Sequence, residues 1–190
     1  MSTIFFITHP EVVIDPATLV PRWHLSDVGI AKMRAFAAAP SMRDIRTIWA
    51  STETKAIEGA GILAAAHGLP VAVHPGLDEN DRSATGFLPP DEFQRVADQF
   101  FAHPDESVRG WERAVDAQKR VAAAFEAITA APAAGDIAIV AHGGVGTLLY
   151  CHLAGLAISR QHDQPAQGHY WSYSLSSRSL LHAWRSIVAD

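Results

Sequence analysis

Thr3 to Thr8 is a short run of β-branched and aromatic residues that stops before Pro10, the pattern of a buried strand. From Ser26 the spacing turns helical. Ser26 is the expected N-cap, Val28, Met33, Phe36 and Ala37 supply an apolar stripe, and Pro40 ends it. Thr47 to Ser51 predicts a second strand, and Thr54 to His67 an alanine-rich helix closed by Gly68-Leu69-Pro70. Pro70 to Leu77 reads as a third strand. Further helices are expected over Asp91 to Ala102 and Gly110 to Thr129, the latter from Trp111, Val115, Val121, Ala122 and Phe125 at helical spacing. Ile137 to Ala141 is an unbroken apolar run, suited to a strand covered on both faces, and His142-Gly143-Gly144 opens a helix through Gly155. Two strands, His169 to Ser176 and Ser179 to Trp184, close the pattern.

Alternating strands and helices with unbroken strands predict an α/β fold, a single domain over residues 1–190 with a mostly parallel sheet and helices on both faces. Ligands in such folds gather at the carboxyl ends of the strands, so the residues just past each strand form the functional shortlist. Pro75 to Pro90, rich in Gly, Pro, Asp and Asn, reads as irregular surface chain long enough to be a substrate loop.

Composition narrows the class. A chain of 190 residues builds one sizeable core, and 48% hydrophobic against 18% charged residues excludes a disordered chain. Fifteen basic residues against 20 acidic ones give a formal charge of -5, the wrong sign for tracking a nucleic-acid backbone. Cys151 is the single cysteine, so no internal disulfide forms. With no basic leader and no apolar stretch near the roughly 18 residues of a membrane span, a cytoplasmic protein without membrane partners is expected.

Two histidines stand at strand ends, His9 and His142. Neighbouring parallel strands bring both imidazoles to one rim, where one attacks an electrophile and the other donates to developing charge. Each alone reads first as a polar residue at a strand terminus. Gly143-Gly144 ahead of a helix offers first-turn N–H groups to an anion such as phosphate, or is a plain strand-to-helix turn. The dipeptide lacks the spacing of a dinucleotide fingerprint or a P-loop. The remaining histidines show no zinc-ligand spacing, so no metal is expected. Trp111, Trp171 and Trp184 read as core or interface aromatics.

Thr8-His9-Pro10-Glu11, Leu25-Ser26-Asp27-Val28-Gly29, Ser51-Thr52-Glu53-Thr54-Lys55-Ala56, Leu77-Asp78-Glu79 and Val140-Ala141-His142-Gly143-Gly144 occur in an order that resembles the histidine phosphatase, or phosphoglycerate mutase-like, superfamily. That family carries Arg-His-Gly-Glu, Leu-Thr-x-x-Gly, Ser-Pro-x-x-Arg-Ala and Ser-His-Gly-Gly in this order. The resemblance runs nearly end to end, and order and spacing match better than identity.

The resemblance implies that His9 is the nucleophile accepting a phosphoryl group and that His142 contacts the phosphate. Glu79 becomes the general acid that protonates the leaving oxygen and then activates water, with Asp78 and Asp81 as rivals in the same loop. Lys55 stands at the family's second arginine, keeping the charge without the bidentate fork. Thr8 stands at the first-motif arginine, replacing a cation by a hydroxyl, and Pro10 replaces glycine. Arg22 and Arg82, with Arg120 nearby, are candidates to restore charge. The phosphate-binding set is therefore Thr8, Lys55, Gly143, Arg22 and Arg82.

Implied is a phosphatase that hydrolyses a phosphate monoester through a phosphohistidine, without cofactor. Its partner is a small phosphorylated substrate or anion, and a homo-oligomer is compatible with the sequence. Mutases of this kind resemble a longer chain with insertions, which favours hydrolysis here. The Thr8 and Lys55 departures motivate the alternative of a catalytically lapsed member that binds an anionic ligand without turnover.

Overall fold

The computed structural model, which describes residues 2–130 and 134–188, contains six strands and five α-helices. The remaining residues of the expected 1–190 domain lie outside that range. In chain order the elements are β1 (Thr3–Thr8), α1 (Asp27–Ala37), β2 (Ile45–Ala50), α2 (Thr54–His67), β3 (Val71–Val73), α3 (Pro90–Ala102), α4 (Ala114–Thr129), β4 (Asp136–Ala141), α5 (Gly143–Ala154), β5 (His169–Ser174) and β6 (Ser179–Ser186). The sheet order is β3-β2-β4-β1-β5-β6. β3, β2, β4 and β1 run parallel, while β5 and β6 are added antiparallel.

β1 and β4 are central and covered on both faces, which is why their sequences are continuous apolar runs rather than alternating ones. Period-two geometry splits their side chains between two cores. Ile4, Phe6, Ile137 and Ile139 pack with α3, α4 and α5, whereas Phe5, Ile7, Ala138 and Val140 pack with α1 and α2. The mostly parallel sheet with helices on both faces is the expected architecture. No helix among the described residues is long and apolar enough to cross a membrane.

Several local expectations are corrected. The third strand is only Val71–Val73, because the His74 ring accepts the Gly76 N–H at 2.9 Å and turns Pro75–Leu77 into a 3-10 turn. The fourth helix starts at Ala114 rather than Gly110, since Arg109 and Gly110 both hold positive φ (52° and 82°) and break the helical path. Val28 is half exposed, so the buried stripe of α1 is Gly29, Met33, Phe36 and Ala37. Ser26 does cap α1, accepting the Gly29 N–H at 3.0 Å. The 75–90 segment is not wholly surface chain: Gly76, Leu77 and Asn80 are buried, and Arg82, Phe87 and Leu88 are half-buried against a cavity.

Candidate active site

The cavity opens at the carboxyl ends of β1, β2 and β4. Backbone pairing fixes what stands there. The His9 N–H donates to the Ala141 carbonyl at 3.0 Å, carrying the β1/β4 ladder one residue past the strand, and the Ser51 N–H donates to the Val140 carbonyl at 3.1 Å. Three adjacent strands thus deliver His9, Ser51 and His142 to one rim, and the two imidazole centroids lie 5.4 Å apart, edge to face.

His9 Nδ1 lies 2.9 Å from the Pro10 carbonyl. A carbonyl only accepts, so the proton is on Nδ1 and Nε2 carries the lone pair, on a residue that lines a cavity of about 420 Å³. Burial, reinforced by the Lys55 charge, pulls the His9 pKa down to about 4 and keeps the ring neutral at physiological pH. His142 is more deeply buried and does not line the cavity; burial holds its pKa well below the usual value as well. Ser51 Oγ lies 2.7 Å from His142 Nε2 and accepts the Glu53 N–H at 3.3 Å. His142 Nδ1 is buried and has no hydrogen-bond partner among the described residues.

Glu79 reaches the site from the turn after β3. Its carboxylate accepts the Gly144 N–H at 3.1 Å and the Val145 N–H at 2.9 Å, occupying the first turn of α5. Two of the first-turn N–H groups, those of Gly144 and Val145, are therefore taken by Glu79, while Gly143 lines the cavity. Burial opposes the Glu79 charge, but Arg82, His142 and the Gly144 N–H together hold its pKa below the ordinary carboxylate value. The two glycines line the cavity and also make room for neighbouring side chains. A Cβ on Gly144 would sit 2.6 Å from Glu79 Oε1, and one on Gly143 would overlap the Gln164 amide.

Lys55 is buried at the start of α2, where its ammonium donates to Glu53 Oε2 and, at 3.0 Å, to the Val20 carbonyl. Glu53, the N-cap residue of α2, was not singled out in the sequence. Its other oxygen accepts the Glu79 N–H at 3.0 Å and lies 3.5 Å from His142 Nε2. The lysine charge is thus met internally by a carboxylate.

Thr8 is fully buried and does not line the cavity; its hydroxyl donates to Gln164 Oε1 at 2.6 Å and accepts the His169 N–H at 3.1 Å. Arg22 is exposed, at the end of the Val20–Arg22 turn and outside the cavity wall. Arg82 does line the cavity, with its guanidinium 5.1 Å from the Phe93 ring and 5.6 Å from that of Trp111. Arg120 holds the acid loop instead, donating to the carbonyls of Gly76, Asp78 and Glu79 and pairing with Glu112. Asp78 is spent on the Thr52 N–H and hydroxyl, and Asp81 on the Ser83 N–H, which leaves Glu79 as the loop carboxylate at the cavity. His24 pairs with Glu58 away from it. Trp111 and Trp171 are core residues, and Trp184 packs half-buried on Trp171.

Besides Glu53, the sequence reading passed over Gln164, Arg160 and Asp163, which line the cavity from the segment before β5. Burial pushes the Asp163 pKa up, while Thr147 Oγ1 and the Gln164 N–H both lie 2.8 Å from it. No motif marks these residues, and Gln164 and Arg160 take partners distant in sequence, Thr8 and Asp98. Among the described residues no three His, Cys, Asp or Glu side chains gather as a metal site.

A phosphoglycerate mutase-like α/β domain is the class that this sheet order and rim define. The profile of the histidine phosphatase superfamily (branch 1) matches residues 20–175, and the chain belongs to that family. No curated protein sequence matches it. Among solved structures, mycobacterial glucosyl-3-phosphoglycerate phosphatase with inorganic phosphate is 20% identical over 100% of both chains, with a TM-score of 0.78. Bacillus stearothermophilus YhfR is 19% identical, covering 96% of this chain and 95% of its own, at 0.79. The Entamoeba histolytica phosphoserine phosphatase in complex with 3-phosphoglyceric acid is 15% identical over 98% of each chain, at 0.78.

Proposed function

We propose that this protein hydrolyses a phosphate monoester through a phosphohistidine at His9. The observation that carries the reading is the tautomer: Nδ1 is tied to the Pro10 carbonyl, so a neutral ring presents the Nε2 lone pair at a cavity. Nε2 attacks phosphorus as the ester P–O bond breaks, and water then attacks phosphorus as the P–N bond breaks. Lys55 and Arg82, which line the cavity, supply positive charge to the phosphoryl group, and His142 stands behind His9, its ring centroid 5.4 Å away.

Glu79 is ionised while the cavity is empty. An arriving phosphate dianion disfavours that charge and raises the carboxyl pKa, so the acid takes up its proton with the substrate. It gives the proton to the leaving oxygen and, again ionised, accepts one from the attacking water. Glucosyl-3-phosphoglycerate phosphatase and phosphoserine phosphatase among the structural neighbours support a small phosphorylated substrate.

A second reading is favoured by a different observation: Glu53 pairs with Lys55, and the Thr8 hydroxyl is committed to Gln164. A site so discharged suits a family member that binds an anion without turnover. Steady-state hydrolysis of para-nitrophenyl phosphate separates the two. The leading reading predicts saturable turnover that His9→Ala lowers by at least about a thousandfold. Saturable phosphate binding without turnover in the natural protein gives the ground to the second.

A further inference from the structure

The same cavity carries more apolar than charged wall, and its charges are largely answered from within. Trp23, Phe87, Leu88, Phe93 and Trp111 line it together with His9 and Glu79. Trp23 and Phe87 pack at 5.7 Å between ring centroids, and Phe93 and Trp111 at 5.9 Å. Trp111 is held in place by its Nε1–H, which donates to Thr85 Oγ1 at 2.8 Å. Ile14, 56% exposed, lines the cavity as well, and Val13 and Leu19 beside it in the chain are also exposed.

Three cations line the cavity, and two have carboxylate partners: Lys55 pairs with Glu53, and Arg160 pairs with Asp98. Arg82 is the cavity-lining cation without a carboxylate hydrogen bond among the described residues, and it lies against Phe93 and Trp111. One phosphoryl group would use it. A second acidic group on the ligand then has no free cation to meet, and it encounters Glu79 and Asp163 in the wall.

On the reading of His9 as the phosphoryl acceptor, we infer that the organic part of the ligand is apolar or aromatic and uncharged. The substrate class is the phosphate monoester of a hydrophobic alcohol or a phenol, and phosphorylated acids are excluded. Burying one aromatic ring in such a wall raises affinity roughly tenfold or more. A ligand carboxylate left unpaired beside Glu79 and Asp163 lowers it.

Calorimetric titration of the intact protein with methylphosphonate, benzylphosphonate and phosphonoacetate tests this without requiring turnover, since carbon–phosphorus bonds are not hydrolysed by this chemistry. Benzylphosphonate is expected to bind at least about tenfold more tightly than methylphosphonate, and phosphonoacetate more weakly than both. Phe87→Ala, or Leu88→Ala should the first fold poorly, reduces the benzyl advantage to about threefold or less. Equal binding of the three, tighter binding of phosphonoacetate, or no binding of any overturns the inference. Turnover bears on the other claim: a preserved benzyl preference without His9-dependent hydrolysis sinks the phosphatase reading and leaves the ligand class standing.

Discussion

Replacing Glu53 by glutamine removes one charge from the centre of the site and little else. The amide keeps an oxygen for the Glu79 N–H and similar volume, but Lys55, only 3% exposed, is left with the Val20 carbonyl as its fixed partner. Breaking a buried pair from one side costs about 3–5 kcal/mol. In a chain of this size each kcal/mol moves the melting temperature by about 2–4 °C, so the unliganded variant should melt at least ~6 °C lower. The uncovered ammonium is also a phosphate site. Inorganic phosphate is expected to bind Glu53→Gln at least about tenfold more tightly than the natural protein, because a cation in a half-desolvated wall attracts an anion by several kcal/mol. At a phosphate concentration 100 times Kd, binding returns about 2.7 kcal/mol and most of the lost melting temperature. Calorimetry at a temperature where circular dichroism shows both proteins folded, with thermal melts in and out of phosphate, supplies both numbers. A folded Glu53→Gln protein whose phosphate affinity is unchanged or lower refutes the idea that Glu53 is the internal counter-ion of the site.

Gly144→Ala should push the Glu79 carboxylate off the first turn of α5, since the new Cβ meets Oε1, and lower kcat/KM for para-nitrophenyl phosphate by about tenfold or more; unchanged kinetics would remove Glu79 from the reaction. Thr8→Val leaves Gln164 Oε1 and the His169 N–H without their partner and should cost about 1–3 kcal/mol in denaturant unfolding, with no loss meaning that water or a new contact takes over the hydroxyl's place. His9 binds its proton near pH 4 in the folded protein and near 6.5 when unfolded. Between these values the unfolded state holds more protons, so stability falls as the pH drops through that window, by up to about 3 kcal/mol from this residue. His142 acts in the same direction, and His9→Asn should flatten the pH dependence of urea unfolding.

The strands and helices that place the site are legible because their signals are local. β1 and β4 are contiguous apolar runs, Ser26 caps α1, and α2 and α5 end on Gly68 and Gly155, both in the left-handed region at φ 65° and 66°. The pairing of His9 with His142 follows from the same logic, since β1 and β4 are parallel neighbours and the two residues sit one step beyond them. What escaped is set by tertiary contact. Glu53 looks like an ordinary residue before a helix, yet its partners include Glu79 and His142, dozens of positions away. Thr8 reads as a replacement for a cation, but its neighbour is Gln164, 156 residues on. The glycine pair after β4 reads as ligand space or as a plain turn, and no local signal shows that the side chains of Glu79 and Gln164 pack against it. Turn chemistry explains the shortened β3 and the late start of α4, where His74 and the positive-φ pair Arg109-Gly110 override an otherwise continuous pattern.

His9 Nε2 is the atom proposed to receive the phosphoryl group. Rapid acid-free quenching of the protein during turnover of para-nitrophenyl phosphate, followed by peptide mass spectrometry and phosphorus NMR, reads that atom directly. A single acid-labile, base-stable phosphoryl group on His9, bonded to Nε2 and absent from His9→Ala, is the predicted result. Turnover with no such adduct under conditions that trap it, or an adduct on another residue, contradicts the mechanism.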